Sequence, residues 1–594
     1  MEISLFPASA VFPGALPHPV FIMTSLGPIF ADDLARVKPG DRLRLTISAQ
    51  TSDAAALAQA ALEARARGER VLVVCADPAD VPRLAQEMPW FEPKLDVRPL
   101  PDWETLPYDV LSPQEELVSE RLEALYRLTA PTGGADVLLT SAVTASQRLS
   151  PVSYIGANTF FFHQGEQISL TTLQKRLAAA GYANVKQVLA AGEFAVRGSI
   201  VDVFPMGSER PFRLDFFDDE IESIRWFDVD TQRSMESAEE IRLLPGHEFP
   251  VDPEALLAFR QRWRREFAGD PKKSIVYCDI EKEILPPGIE YYLPLFFDET
   301  AALTDYLPPN ARVFLLGDIE AALQAFGRDM ASRYKVLAAD PQRPALAPER
   351  IWLKPEEFFK SLANFARFTV EKKENAEDLK RLSGIEVDRK SQNPVGKLLE
   401  RTRESAMKGV RTLIAAPSAG RMETMSQLLR TGGLSVEEFP DWQTFLDADS
   451  ALGIAAAPLF SGAVFHHPEI VILSEAELYA ASPRRHRLRR VKHATTLEMM
   501  VRDVAELKPG DAVVHADHGI GRYQGLVHME TPDGDAEFLE ITYKNDAKLF
   551  VPITNLQLIS RYAGADPEHA PLHQLGRGDW EKAKRKAAQE VRDT

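Results

Sequence analysis

Three groups of residues in this chain have types and spacing that could do chemistry. The first is the junction Ile47-Ser48-Ala49-Gln50-Thr51-Ser52-Asp53, between an apolar run and an Ala/Leu-rich one. In nucleotide-hydrolysing α/β folds this junction holds a phosphate loop of pattern GxxxxGK[S/T]. Its glycines let backbone N–H groups close on the phosphates, its lysine neutralises charge, and its hydroxyl holds magnesium. Here Ser48, Gln50, Thr51 and Ser52 stand in that place, and neither Gly nor Lys occurs from 41 to 67. Asp53 would repel a triphosphate and suits the first turn of a helix instead. No acidic pair ends the later strand, DVLLTSAVTA (136–145). The loop is degenerate, and no ATP hydrolysis is expected from it. The second group is His515, Asp517 and His518, which have metal-ligand character. One short loop supplies all three and no distant fourth ligand is evident, so turn chemistry is the favoured reading. The third is FFDDEIES (216–223), whose carboxylates read as a hairpin tip and not as a paired acid and base.

Composition narrows the function classes. The net charge of −18 argues against broad coating of DNA, whose phosphates would be repelled by most of this surface. Two cysteines, Cys75 and Cys278, suit neither a disulfide framework nor a zinc site and fit a reducing cytoplasm. No apolar run reaches membrane-spanning length, and the first residues lack the pattern of a signal peptide.

The elements that must position these residues are multidomain α/β. Residues 1–35 read as an arm rich in Pro and Phe. Strands are expected at Arg42–Ile47, Arg70–Ala76, Val97–Leu100 and Asp136–Ser141, with helices at Ser52–Arg67, Asp77–Glu87 and Glu115–Leu128. This alternation predicts a doubly wound sheet over 1–150, resumed over 246–349. Residues 151–245 form an α+β insert of short hairpins that exits at Pro245-Gly246. Over 246–349 a helix is expected at Pro253–Phe267 and strands at Ser274–Tyr277 and Arg312–Leu316. A further small α/β domain spans 350–478, with strands Arg367–Val370, Val410–Ala415 and Ile470–Ser474. Residues 479–504 read as a linker carrying the basic run SPRRHRLRRVKH (482–493). That run is a solvated segment in the bland reading and a nucleic-acid or acidic-partner contact in the sharp one. Residues 505–563 alternate apolar and polar in short runs with turns between, which predicts a small, strongly bent β-barrel. Gly519, Gly521 and Gly525 fit its corners, where a side chain would clash or φ is positive. Its expected core is Val513, Ile520, Leu539, Ile541, Leu549 and Val551. A charged helix closes the sequence over 564–594.

The barrel has no nucleophile, metal set or phosphate loop, so it reads as a docking module. VVHADHGIGRYQG (513–525) and YKNDAKLFVPITNLQLISRYAG (543–564) closely resemble the Tudor-like RNA-polymerase-interaction module of bacterial transcription-repair coupling factors, shared with CarD-type regulators. LPDWETLPYDVLSP (100–113), DVLLTSAVTASQRLSP (136–151) and the run 192–234 resemble UvrB, and GIEYYLPLFFDE (288–299) keeps the same register. The resemblance covers the N-terminal part of the coupling factors. It implies a UvrB-like scaffold with a degenerate phosphate loop and without the long DNA-gripping hairpin, since little chain separates Tyr108 from Asp136. It implies two partners, UvrA and the RNA polymerase β subunit. ATP and magnesium belong to a translocase motor that the family carries further on and that has no motif within 1–594, so no cofactor is expected here.

For the insert, the resemblance implies that Arg197, by default a solvated turn residue, pairs with a carboxylate of UvrA, which a guanidinium fork can grip with two hydrogen bonds. Phe204 is either core or an aromatic anchor there. Asn184 and Lys186 are further contacts. For the barrel, docking by strand addition makes Tyr523–Met529 the expected edge. Leu526 and Met529 supply apolar contacts to polymerase, although strict alternation would send one of them inward, and Arg522 and Lys548 add charge at the rim. Two rival readings stand beside this one: a P-loop helicase with a diverged loop, and a CarD-like transcription regulator with unrelated upstream domains.

Overall fold

Val71–Cys75, Val137–Ser141 and Arg312–Leu316 are buried at every residue, the pattern of strands covered on both faces. In the computed structural model they form the centre of a six-stranded sheet in the order Arg42–Ser48, Ala366–Lys373, Arg312–Leu316, Val71–Cys75, Val137–Ser141, Val97–Pro99. Every pairing in it is parallel. The structure describes residues 36–105, 107–129, 134–229, 231–388, 391, 393–479, 510–515, 519–531, 534–544, 547–552, 559–561 and 572. The arm at 1–35, the basic run 482–493 and the closing helix lie outside the described residues. Two compact units are distinguished, Met1–Ser482 and Pro483–Thr594.

Two expectations for the first unit need correction. Ala366–Lys373, which contains the Arg367–Val370 strand expected in the second α/β unit, pairs instead inside the first sheet. Strand membership is a long-range property that a local pattern cannot carry. Ser274–Tyr277 is not a strand but the start of the helix Ile275–Glu281, where Ser274 Oγ accepts from the Tyr277 amide at 3.3 Å. The apolar run Ile-Val-Tyr imitated a strand, and the cap decided for the helix.

Between the two halves of this sheet the insert forms its own six-stranded sheet, in the order Ser234–Ala238, Glu220–Phe227, Phe212–Phe217, Ile200–Val203, Glu193–Arg197, Ala183–Asn184. One face sends Phe194, Val201, Val203, Leu214 and Phe216 into the main core. The other carries an in-register row of Ala195, Asp202, Arg213 and Arg225. A buried ion pair joins the two scaffold segments on either side of the insert. Arg121, from the helix Glu115–Thr129, donates to Glu248 through Nε at 2.6 Å and Nη2 at 3.2 Å, and Trp103 Nε1 donates to the same carboxylate at 3.1 Å.

The later α/β domain has a five-stranded sheet in the order Glu437–Phe439, Leu452–Ala456, Arg411–Ala416, Glu469–Ser474, Ala463–His466, with only the last pairing antiparallel. The second unit contains five antiparallel strands in the order Lys548–Pro552, Gly534–Thr542, Gly519–Thr531, Ala512–His515, Ile559–Arg561. Among the described residues these strands form one sheet, with no pairing between its first and last strands. Gly519 and Gly525 have φ of 80° and 139°, and a Cβ on Gly521 would lie 2.5 Å from Ile541 Cγ2. Its core is Val513, Tyr523, Leu539, Ile541, Tyr543 and Val551, with Leu549 partly buried; Ile520 packs with Ala512 in a smaller cluster.

One buried acid makes the scaffold sensitive to pH. Glu290 Oε2 accepts from Ser112 Oγ at 2.8 Å, and Ser112 Oγ accepts from the Gly288 amide at 3.0 Å, fastening the 108–112 loop. Burial pushes Glu290 up to about 7. The folded state therefore keeps a proton that the unfolded chain loses near its ordinary value of 4.5, so this group's contribution falls as pH rises from about 4.5 to about 7. Glu290→Gln removes that dependence. Its stability relative to the parent should rise by about 1–3 kcal/mol between pH 5 and pH 8 in chemical unfolding.

Candidate functional site

The degenerate phosphate loop is filled by the protein's own groups. Ser52 caps the helix Asp53–Ala66, its Oγ accepting from the Ala55 amide at 3.2 Å. Asp53 is buried and accepts from Arg83 Nη1 at 2.9 Å and Nη2 at 2.8 Å, with Lys372 Nζ at 2.6 Å. Burial would raise this carboxyl, but the Arg83 and Lys372 charges overcome it and hold Asp53 well below the usual carboxylate range. Arg83 also reaches Asp80 at 2.9 Å and Glu87 at 2.8 Å. The two cations that could have met a phosphate are thus answered by three carboxylates.

The later α/β domain then covers the loop. Val464 N donates to Gln50 O at 2.9 Å, Thr51 Oγ1 donates to Val464 O at 3.4 Å, and Ser48 Oγ donates to Asp378 Oδ2 at 2.8 Å. Beyond them, Trp90 Nε1 donates to Ala456 O at 3.2 Å and Phe460 N to Glu87 Oε1 at 3.1 Å. The cavity left beside Asp53, Arg83 and Lys372 holds about 120 Å³. Ordinary ligand pockets hold roughly 300–1,000 Å³. Ser48, Gln50, Thr51 and Ser52 are therefore brought together, but as a domain contact. Asp53→Ala would leave Arg83 and Lys372 facing each other without their shared anion. It should destabilise the chain by about 3–5 kcal/mol in denaturant melts, with no magnesium-ATP binding gained in calorimetry.

On the insert, Arg197 ends the Glu193–Arg197 strand beside the Gly198 turn, where φ is 64°. Its guanidinium pairs with buried Asp202 and donates to Gln232 Oε1 at 3.3 Å, while its side chain stays 48% exposed. Arg213 grips the same Asp202 through Nε at 2.6 Å and Nη2 at 3.0 Å. One carboxylate thus answers two guanidiniums, and Asp215 is a further acidic neighbour of Arg213. Asn184 and Lys186 are exposed. Phe204 is partly buried and packs against both the main core and the small Val188, Ala195 and Phe227 cluster. Phe204 and Asn184 flank Gly192–Phe194 at one end of the hairpin, and Arg197 lies at the other, so the four do not form one tight cluster. Asp202 and Arg213 escaped the sequence reading. The signal was an Asp inside the apolar run Ile200–Val203, which requires a paired cation.

In the second unit, the Gly519–Thr531 strand pairs with Gly534–Thr542 from Arg522 to Thr531, with a bulge between Tyr523 and Gly525. On its other side it pairs with Ala512–His515 only over Gly519–Arg522. Beyond Tyr523 that second edge has no strand partner among the described residues. Arg522 Nη1 donates to Gly510 O at 2.8 Å, and Lys548 Nζ pairs with Glu540 at 2.7 Å. The side chains of Leu526 and Met529 lie outside the described residues. So do Asp517 and His518, while His515 is buried. Among the described residues no group of three His, Cys, Asp or Glu could hold a metal ion, and no helix is long and apolar enough to cross a membrane.

Sequence comparisons agree with this layout. Residues 160–249 match the family described as UvrB interaction domain, 406–478 the MFD, D3 domain, and 507–563 the CarD-like/TRCF RID domain. The chain is 38% identical over 533 residues to the transcription-repair-coupling factor of Escherichia coli K12, covering 88% of this chain and 46% of that protein. It is 39% identical over 509 residues to that of Haemophilus influenzae, covering 84% and 44%, and 29% identical over 532 residues to that of Myxococcus xanthus, covering 83% and 43%. The chain thus spans about half the length of the curated relatives it matches. The modules matched are accessory ones, and together they place this chain with the bacterial transcription-repair coupling factors, as the counterpart of their N-terminal part.

Proposed function

We propose that this chain is the docking portion of a cytoplasmic transcription-repair coupling factor, holding the β subunit of stalled RNA polymerase and recruiting UvrA. The observation that carries the reading is that one chain bears both a UvrB interaction domain and a CarD-like/TRCF RID domain. In this reading residues 151–245 are the UvrA-docking insert, carried by a UvrB-like scaffold over 1–150 and 246–349. Residues 350–478 are the small α/β domain, and 505–563 are the polymerase module. A CarD-like regulator would account for the last module alone, and a diverged helicase would need a phosphate loop open to nucleotide.

Arg197 is the charge contact to UvrA, with Phe204, Asn184 and Lys186 beside it. The half-exposed guanidinium of Arg197, which shares Asp202 with Arg213, supports this role. Arg197→Ala leaves Asp202 paired with Arg213, so it should keep its melting behaviour while binding UvrA roughly tenfold or more weakly in titration. Wild-type affinity in that variant would remove Arg197 from the interface. Arg197→Glu should lose more, but it also sets a carboxylate against Asp202.

Polymerase docking uses the edge beyond Tyr523, which has no strand partner among the described residues and offers backbone N–H and C=O groups to an added strand. Leu526 and Met529 give apolar contacts, with Arg522 and Lys548 at the rim. Met529→Arg should lose β-subunit affinity without moving the thermal melt, whereas Leu539→Ala, in the core, should destabilise by about 2–5 kcal/mol. If Met529→Arg unfolds the module instead, the contact passes to Leu526.

A further inference from the structure

The edge of the first sheet carries more positive charge than its carboxylates among the described residues answer. Arg42–Ser48 is an edge strand, paired in parallel with Ala366–Lys373 in a register that sets Arg42 opposite Arg367 and Arg44 opposite Thr369. Neighbouring strands lie about 4.8 Å apart, and like charges directly opposite are destabilising. On this face the two strands present Arg42, Arg44, Arg367 and Lys373, with Glu371 as their only carboxylate. Glu371 is taken by Arg44 at 3.2 Å. Among the described residues neither Arg42 nor Arg367 has an ion pair, and Arg367 Nε is buried without a hydrogen-bond partner. Burial, and then the nearby Arg42, lower the Arg367 pKa from its ordinary value.

Charged side chains on an edge strand are a common guard against unwanted strand pairing. That role accounts for Arg42 and Arg44. It does not account for Arg367, which lies one strand inward, between Arg42 and the fully buried Val313 of the same row. A second guanidinium kept there against its neighbour's repulsion is stabilised only when an anion arrives. In a chain of net charge −18, such a strip also concentrates attraction for a polyanion in one place.

We propose that Arg42, Arg44 and Arg367 form a binding site for the sugar-phosphate backbone of a nucleic acid. Guanidiniums repeating along one strand and across to the next suit a linear run of phosphates. They offer no pocket to read a base, so the contact is sequence-independent. The site is separate from both docking surfaces and does not rest on the roles given to them. Arg42 and Arg367 serve as a pair that the phosphate relieves, and Arg44 extends the contact along the edge.

The test is fluorescence anisotropy of a short labelled duplex, and of its single strand, with the whole chain across a salt series. The chain should bind one or both at low salt. Arg42→Ala/Arg44→Ala/Arg367→Ala should weaken binding about tenfold or more and reduce the slope of log affinity against log salt by about 2–3. Arg367→Gln alone should reduce it by about 1 while leaving the thermal melt unchanged or raised, which keeps the test valid if the triple variant folds poorly. A control variant, Arg484→Ala/Arg485→Ala/Arg487→Ala, should leave the strip's share of the slope in place. Absence of binding by the parent chain would overturn the proposal. So would an unchanged slope in the strip variants, or complete loss in the control variant. If inorganic tripolyphosphate displaced the duplex from the parent and equally from the strip variants, the strip would not be the site. Displacement from the parent alone would support it.

Discussion

The structure depends on one constraint: the central strand Val71–Cys75 takes as its neighbour Arg312–Leu316, more than two hundred residues later in the chain. A parallel sheet buried on both faces cannot leave such a partner out, because its backbone groups and its apolar row would both be unsatisfied. The insert is therefore held at both ends by the scaffold. The Arg121–Glu248 pair, both charges inside, adds a second restraint; Trp103 Nε1 also donates to the carboxylate, and Arg121 Nη1 donates to Pro101 O. A buried pair of this kind gains little net stability, yet it strongly disfavours any arrangement that separates it. The result is a rigid base for a surface sheet whose outer face stays free.

The same logic explains how a nucleotide fold lost its ligand site without losing the geometry around it. The strand-to-helix junction that would cradle phosphate still exists, but its helix opens on Asp53, and Arg83 with Lys372 answers that carboxylate instead. The later α/β domain seats its Ala463–His466 strand on the loop. One apolar cluster then runs from the helix Asp53–Ala66 through Trp442 and Phe445 into that domain. Charge neutralisation at the loop and apolar continuity beside it make the junction an interface. A triphosphate would have to displace both.

The two docking surfaces proposed for this chain rest on the opposite principle, leaving something unsatisfied. At the insert it is the half-exposed Arg197, which shares Asp202 with Arg213; at the small sheet it is the part of one strand beyond Tyr523 that has no second neighbour among the described residues. Each is a modest deficit in the isolated chain and becomes attraction only when the complementary group arrives. The paired arginines at the edge of the first sheet follow the same pattern.

Much of this was legible in the residues themselves. The missing Gly and Lys of the 47–53 junction excluded a phosphate loop, because that chemistry depends on local residue types. The alternation of apolar and polar positions marked the insert as a set of short hairpins, though not its strands Phe160–His163 and Ser234–Ala238, and the glycines at 519, 521 and 525 announced the bends of the small sheet. What remained hidden was long-range pairing. Nothing near Arg367 says that its strand lies beside Arg42–Ser48, or that Lys372 ends against Asp53. Nothing near Arg197 says that Asp202 must be shared with Arg213. Local periodicity and turn chemistry determine elements, since both act over a few residues; which charges meet is decided by sheet order and register, which only the tertiary structure sets.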